Sequence, residues 1–68
     1  MSHLPHDLRE AFKAAIEREI QARQFYLDIA AASDERRARL LFEKLAKEEE
    51  KHKSLLESEY DAIFLPEM

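Results

Sequence analysis

The sequence predicts an all-α fold: an antiparallel two-helix hairpin that dimerises into a four-helix bundle. Three observations carry this reading. None of the 68 residues is glycine, and the two prolines, Pro5 and Pro66, lie near the ends, so no helix breaker interrupts the interior. From Asp7 to Tyr60 the chain is dominated by alanine, leucine, glutamate, lysine and arginine, the residues that lose least on entering a helix. Apolar residues recur at steps of three and four, and no segment carries a strand signal.

The whole chain, 1–68, reads as one hairpin with helices over about 7–32 and 35–63. Asp7, just after Pro5, is placed to cap the first helix, whose seam runs Leu8, Phe12, Ala15, Glu19, Ala22, Tyr26, Ile29. Ser33-Asp34 is the one polar break, after which Glu35 opens a second helix near its positive end. The second seam runs Ala38, Phe42, Leu45, Glu49, His52, Leu56, Glu59, Ile63.

Length and composition narrow the function. Chains below roughly 70–80 residues rarely stabilise themselves without a staple or a partner. This one is 46% hydrophobic and has no cysteine for a disulfide or a thiolate metal site, so self-association is expected. A net charge of −4, with acids interspersed among the Lys and Arg residues, argues against a nucleic-acid partner. No apolar run approaches the ~18 residues of a membrane span, and Met1 to Asp7 lacks the apolar core of a secretion signal. The expectation is a soluble, cytoplasmic protein.

Both seams carry ionisable groups where apolar ones belong. Glu19 interrupts the first, and the Glu49-x-x-His52 pair interrupts the second. A carboxylate in an apolar seam is costly unless it is paired, hydrogen-bonded or bound to a metal. A hairpin turning near residue 34 brings Glu19 level with Glu49, Ile16 with His52, Phe12 with Leu56, Tyr26 with Phe42, and Arg9 with Glu59. Ala15, Ala22 and Ala46 leave room in that layer. A two-fold axis through it lets a second hairpin overlap fully, its loop at the opposite end, and the joint layer then holds four Glu and two His. That set belongs to ferritin-like carboxylate sites, which hold two metals. Carboxylate with imidazole suits iron or manganese, with zinc as a competitor, and four carboxylates balance two divalent ions. Two ferrous ions so held have open positions where dioxygen or peroxide can take one electron from each.

A plainer reading stays open. Glu49 lies in the charged run Lys47 to Lys51, which reads equally as a solvated face of a non-catalytic helical oligomerisation module. Tyr26, two turns beyond Glu19, leans back toward the ligands or serves as a core aromatic with a wet tip. Glu59 is expected to pair with Arg9. His3 and His6 read as solvated, with a secondary metal site as the lesser alternative. Tyr60, Phe64 and Leu65 are expected at a subunit contact, and Glu17, Glu48 and Glu57 as solubilising charge.

The stretch from Ala15 to Tyr60 resembles the rubrerythrin branch of the ferritin-like superfamily. Its motifs are Glu19 followed by Phe25-Tyr26, then Leu41-Phe42, Leu45-Ala46, and Glu48-Glu49 with His52. The resemblance implies Glu19, Glu49 and His52 as diiron ligands and Tyr26 as a tyrosine behind them. Typical rubrerythrins carry two such halves and often a Cys-rich rubredoxin domain, whereas this chain has one half and no cysteine. Its plan is closer to the encapsulated ferritins, two-helix proteins that build the site across a subunit interface and form rings. That likeness implies ferroxidase activity and an encapsulin shell as partner and compartment. The alternative within the family is peroxide reduction, which needs an external electron donor here.

Overall fold

The computed structural model describes residues 7–65. Helix α1 spans Leu8–Ala32 and α2 spans Arg36–Phe64, with Ser33, Asp34 and Glu35 between them. Both helices lie within about a residue of the expected bounds, and the difference lies in the caps. The Asp7 carboxylate accepts the Glu10 N–H at 2.8 Å, and Glu35 stands outside α2, its Oε1 accepting the Ala38 N–H at 2.8 Å. Each cap satisfies an amide that the first turn leaves free, a contribution of roughly 1 kcal/mol for a good capping residue.

The turn needs no glycine because it uses no left-handed residue. Ser33 is extended (φ −88°, ψ 130°), its N–H donating to the Ala30 carbonyl at 3.2 Å and its hydroxyl to the Ile29 carbonyl at 2.8 Å. These bonds occupy carbonyls that the end of α1 leaves unpaired.

Aromatic side chains join the helices at both ends. Near the loop, Tyr26 meets Phe42 with centroids 6.0 Å apart, as the expected register requires. At the open end Phe12 packs edge-on against Tyr60 at 5.9 Å and Phe64 at 6.1 Å, one to two turns beyond the Leu56 expected opposite it. Helical side chains lean toward their own N-terminus, and in an antiparallel pair both leans carry an α1 residue toward partners later in α2. One expectation is thereby corrected. The Arg9 guanidinium lies 4.6 Å above the Phe64 ring and makes no ion pair with Glu59. Tyr60 and Phe64 pack inside the hairpin, while Leu65 stays exposed.

The hairpin is a slab 47 × 32 × 12 Å, one helix thick. Its only fully buried apolar residues among those described are Ala30 and Ala46, and no large side chain is completely enclosed. One broad face is conspicuously apolar. In α2 the positions Leu41, Leu45, Glu48, His52, Leu55 and Glu59 follow one another at steps of four and three, and in α1 so do Leu8, Ala11, Ala15, Arg18, Ala22, Phe25 and Ile29. Both helices are right-handed and antiparallel, so these rows turn to the same side of the slab. Phe25 is 60% exposed there and Leu55 61%.

Candidate metal centre

Glu19 and Glu49 occupy the groove between the helices, midway between the two aromatic contacts, with side chains 24% and 18% exposed. His52, one turn beyond Glu49, stands at the edge of the apolar face and is 59% exposed. This corrects the expectation of an imidazole sunk in the seam beside Phe42 and Leu56. Stepping three residues from Glu49 turns the side chain about 60° away from the groove.

The three groups nonetheless converge. His52 Nδ1 is 3.3 Å from Glu49 Oε1 and 3.6 Å from Glu19 Oε1, and one donor atom from each residue lies within 4.8 Å of the others. Donors sharing one ion at about 2.1 Å stand roughly 3–4 Å apart, so the two nitrogen-to-oxygen spacings suit a common cation. The donor set also fits, since two carboxylates and an imidazole without thiolate favour iron, manganese or zinc.

Glu19 and Glu49 shift each other's pKa in opposite directions. The hydrogen bond to Glu49 raises the Glu19 pKa above its ordinary value, reinforced by burial and by the Glu49 charge, with His52 opposing. The same hydrogen bond holds Glu49 below its ordinary value against the effect of burial, with His52 assisting. Of the two, Glu19 is the carboxyl that binds a proton more readily. A divalent cation held by Glu19, Glu49 and His52 would supply the positive charge that lets both carboxylates stay ionised side by side.

Tyr26 is not drawn into this cluster. Its ring contacts Phe25 at 5.7 Å and Phe42 at 6.0 Å, and its hydroxyl makes no hydrogen bond to Glu19 or Glu49. His3 and His6 lie outside the described residues. Residues that the seams did not single out complete the surroundings. Arg23, four after Glu19, reaches Glu50 Oε1 at 3.3 Å, and Lys53, four after Glu49, reaches Glu50 at 3.6 Å and Glu57 at 3.7 Å. Their signal was the i, i+4 spacing from Glu19 and from Glu49, which stacks a cation one turn above or below a carboxylate. Two surface hollows, lined by Asp7, Leu8, Arg9, Glu10, Lys13 and Phe64 and by Arg23, Leu27, Glu43, Ala46, Lys47 and Glu50, exclude the Glu19 cluster. The cluster sits on an open edge.

A paired-carboxylate and imidazole site on a helical hairpin defines the ferritin-like metal class. The rubrerythrin family model matches residues 2–67, and the chain belongs to the rubrerythrin family, whose members typically bind iron. No curated protein and no solved structure matches the chain closely enough to narrow this further. Among the described residues no helix is long and apolar enough to cross a membrane.

Proposed function

We propose that two hairpins pair through their apolar faces to build a diiron site that oxidises ferrous iron with dioxygen or peroxide. The observation that carries this reading is the placement of Glu19, Glu49 and His52. Three donors meet within 4.8 Å at the edge of the face that a second hairpin would cover. One hairpin offers only half of the ligand set of a ferritin-like site, and a second copy supplies the other Glu and the other Glu-x-x-His. Two ferrous ions held by Glu19, Glu49 and His52 of the two chains would each supply one electron to the oxidant.

The protein's own residues do the rest. Glu19 and Glu49 hold charge in a half-buried groove where water competes weakly. His52 adds a neutral donor whose Nδ1 already faces both carboxylates. Covering Leu41, Leu55 and Phe25 would remove water from the open side. Tyr26 fits a place behind the ligands only after its hydroxyl swings toward Glu19, because its present contacts are aromatic. The resemblance of Ala15 to Tyr60 to the encapsulated ferritins extends this reading to a ring of hairpin pairs within an encapsulin compartment. Peroxide reduction with an external electron donor is the family alternative, and multiple peroxide turnovers per site would favour it.

The test is anaerobic ferrous loading followed by elemental analysis and then oxygen. One iron per chain and a near-ultraviolet ferric absorption that grows with oxygen are expected. His52→Ala should lower metal affinity by ten-fold or more, an order typical of losing a ligand or its support, while helical content is retained. Iron bound equally by wild type and by a Glu19→Ala, Glu49→Ala variant would sink the assignment.

A further inference from the structure

Each carboxylate of the cluster has a cation one turn along its own helix. Arg23 follows Glu19 by four residues, and Lys53 follows Glu49 by four. Glutamate four residues ahead of a cation is the order that forms side-chain ion pairs most readily on a helix, because it also suits the helix dipole. Left to their own helices, the two cations would settle on Glu19 and Glu49. Neither does, since no ion pair joins Arg23 to Glu19 or Lys53 to Glu49.

Both cations turn instead to Glu50. Arg23 Nε reaches across the groove to Glu50 Oε1 at 3.3 Å, and Lys53 Nζ lies 3.6 Å from Glu50 Oε2, so each oxygen of that carboxylate takes one cation. The helical turn places Glu50 for this. It stands about 100° round α2 from Glu49, on the side away from His52, which stands about 60° round in the opposite sense. Lys53 is steadied further by Glu57 at 3.7 Å. Arg23 and Glu50 border a hollow with the buried Ala46, whose methyl group leaves the guanidinium room to cross.

We propose that Glu50 keeps Arg23 and Lys53 off Glu19 and Glu49, so that these two carboxylates stay free to take a divalent cation. The inference rests on the reading of Glu19, Glu49 and His52 as ligands. Glu50 stands outside that donor group, and both of its oxygens are already occupied. An arginine or lysine seated on Glu19 or Glu49 would compete with the metal for the same lone pairs and place positive charge where the metal must sit. A bridge that only held the helices together would lose the same amount with either partner. Here the partners differ, because losing the acid releases two cations and losing a cation releases none.

The test is titration of the metal-free full chain with manganese(II), followed by the electron paramagnetic resonance of the unbound ion at one protein concentration. Circular dichroism and sedimentation check folding and pairing. Glu50→Gln is expected to weaken binding by roughly three- to ten-fold, the scale on which one or two exposed ion pairs compete. Arg23→Gln and Lys53→Gln, alone or together, should bind at least as tightly as wild type, and adding both to Glu50→Gln should bring the affinity back. Glu43→Gln is the control for bare charge, since it removes an exposed acid of α2 that joins none of the ion pairs among the described residues. A second measurement needs no metal. In nuclear Overhauser spectra the Arg23 δ protons should contact the Glu50 side chain in wild type and the Glu19 γ protons in Glu50→Gln. Binding by Glu50→Gln equal to wild type, an equal loss in Glu43→Gln, or a triple variant that stays weak overturns the proposal. Wild type that takes up no manganese defeats the ligand reading, whereas Arg23 that stays off Glu19 in Glu50→Gln defeats the role of Glu50 with the ligand reading intact.

Discussion

The two broad faces of the hairpin meet solvent differently. On one, Arg23, Glu50, Lys53 and Glu57 form a chain of ion pairs within the molecule. On the other, Leu41, Leu55 and Phe25 lie half exposed or more around an imidazole that reaches two carboxylates. The first face pairs its charges within the chain. The second leaves both apolar area and ligand valence unsatisfied at the same place, so a single partner surface would relieve both at once. A metal site at such an edge can be loaded before it is covered, which a site sealed within one chain cannot.

The largest effect is expected on the apolar face. Leu41→Glu with Leu55→Glu places charge where the second hairpin would pack, and the two-chain species should disappear from sedimentation profiles. Because each buried leucine contributes roughly 1.5–3 kcal/mol, helicity at micromolar concentration should fall with it. A folded, paired variant would remove this face from the account.

A middle-sized effect separates the faces by pH in the metal-free protein. Glu19, raised in the folded state, keeps a proton that the unfolded chain releases, so stability should fall as pH rises from the ordinary glutamate range through the raised Glu19 value. Glu49, lowered, acts in the opposite sense: its contribution is present above the ordinary value and is lost as pH falls through its depressed one. Urea unfolding across this range should show the high-side decline in wild type and its loss in Glu19→Gln. Equal slopes in the two proteins would show that folding does not raise the Glu19 pKa.

The smallest effect belongs to the closed face. Arg23 and Glu50 are both nearly half exposed, and such pairs contribute about 0.2–1 kcal/mol. Arg23→Gln should cost no more than that in urea unfolding, and the cost should shrink in high salt. A loss of several kcal/mol would mean that this face, too, depends on a specific arrangement.

Much of the fold was legible in the residues because helices are local objects. Asp7, the Ser33-Asp34 break and the glycine-free interior mark the helix ends to within a residue, and Glu19, Glu49 and His52 were visible as charges out of place on apolar rows. The partners of Phe12 and Arg9 were not. Register arithmetic counts Cα positions, whereas contacts depend on side-chain lean, which carried Phe12 to Tyr60 and Arg9 to Phe64. Likewise a single seam per helix could not separate residues facing the groove from those facing the open side, and Ala30, one of the two most buried residues, belonged to no seam.

By itself the sequence determined two helices, their antiparallel return and the three ionisable residues that stand out of place on apolar rows, because these follow from hydrogen-bonding period, capping and the cost of charge among apolar groups. Only the tertiary structure decided that Glu19 and Glu49 lie in the groove while His52 stands at its edge, that Tyr26 turns to Phe25 and Phe42, and that Arg23 and Lys53 flank the carboxylates. The physical reason is rotational. Spacing along a helix specifies which residues share a row, but the direction in which that row points is set by how the two helices roll against each other, through contacts between residues far apart in the chain.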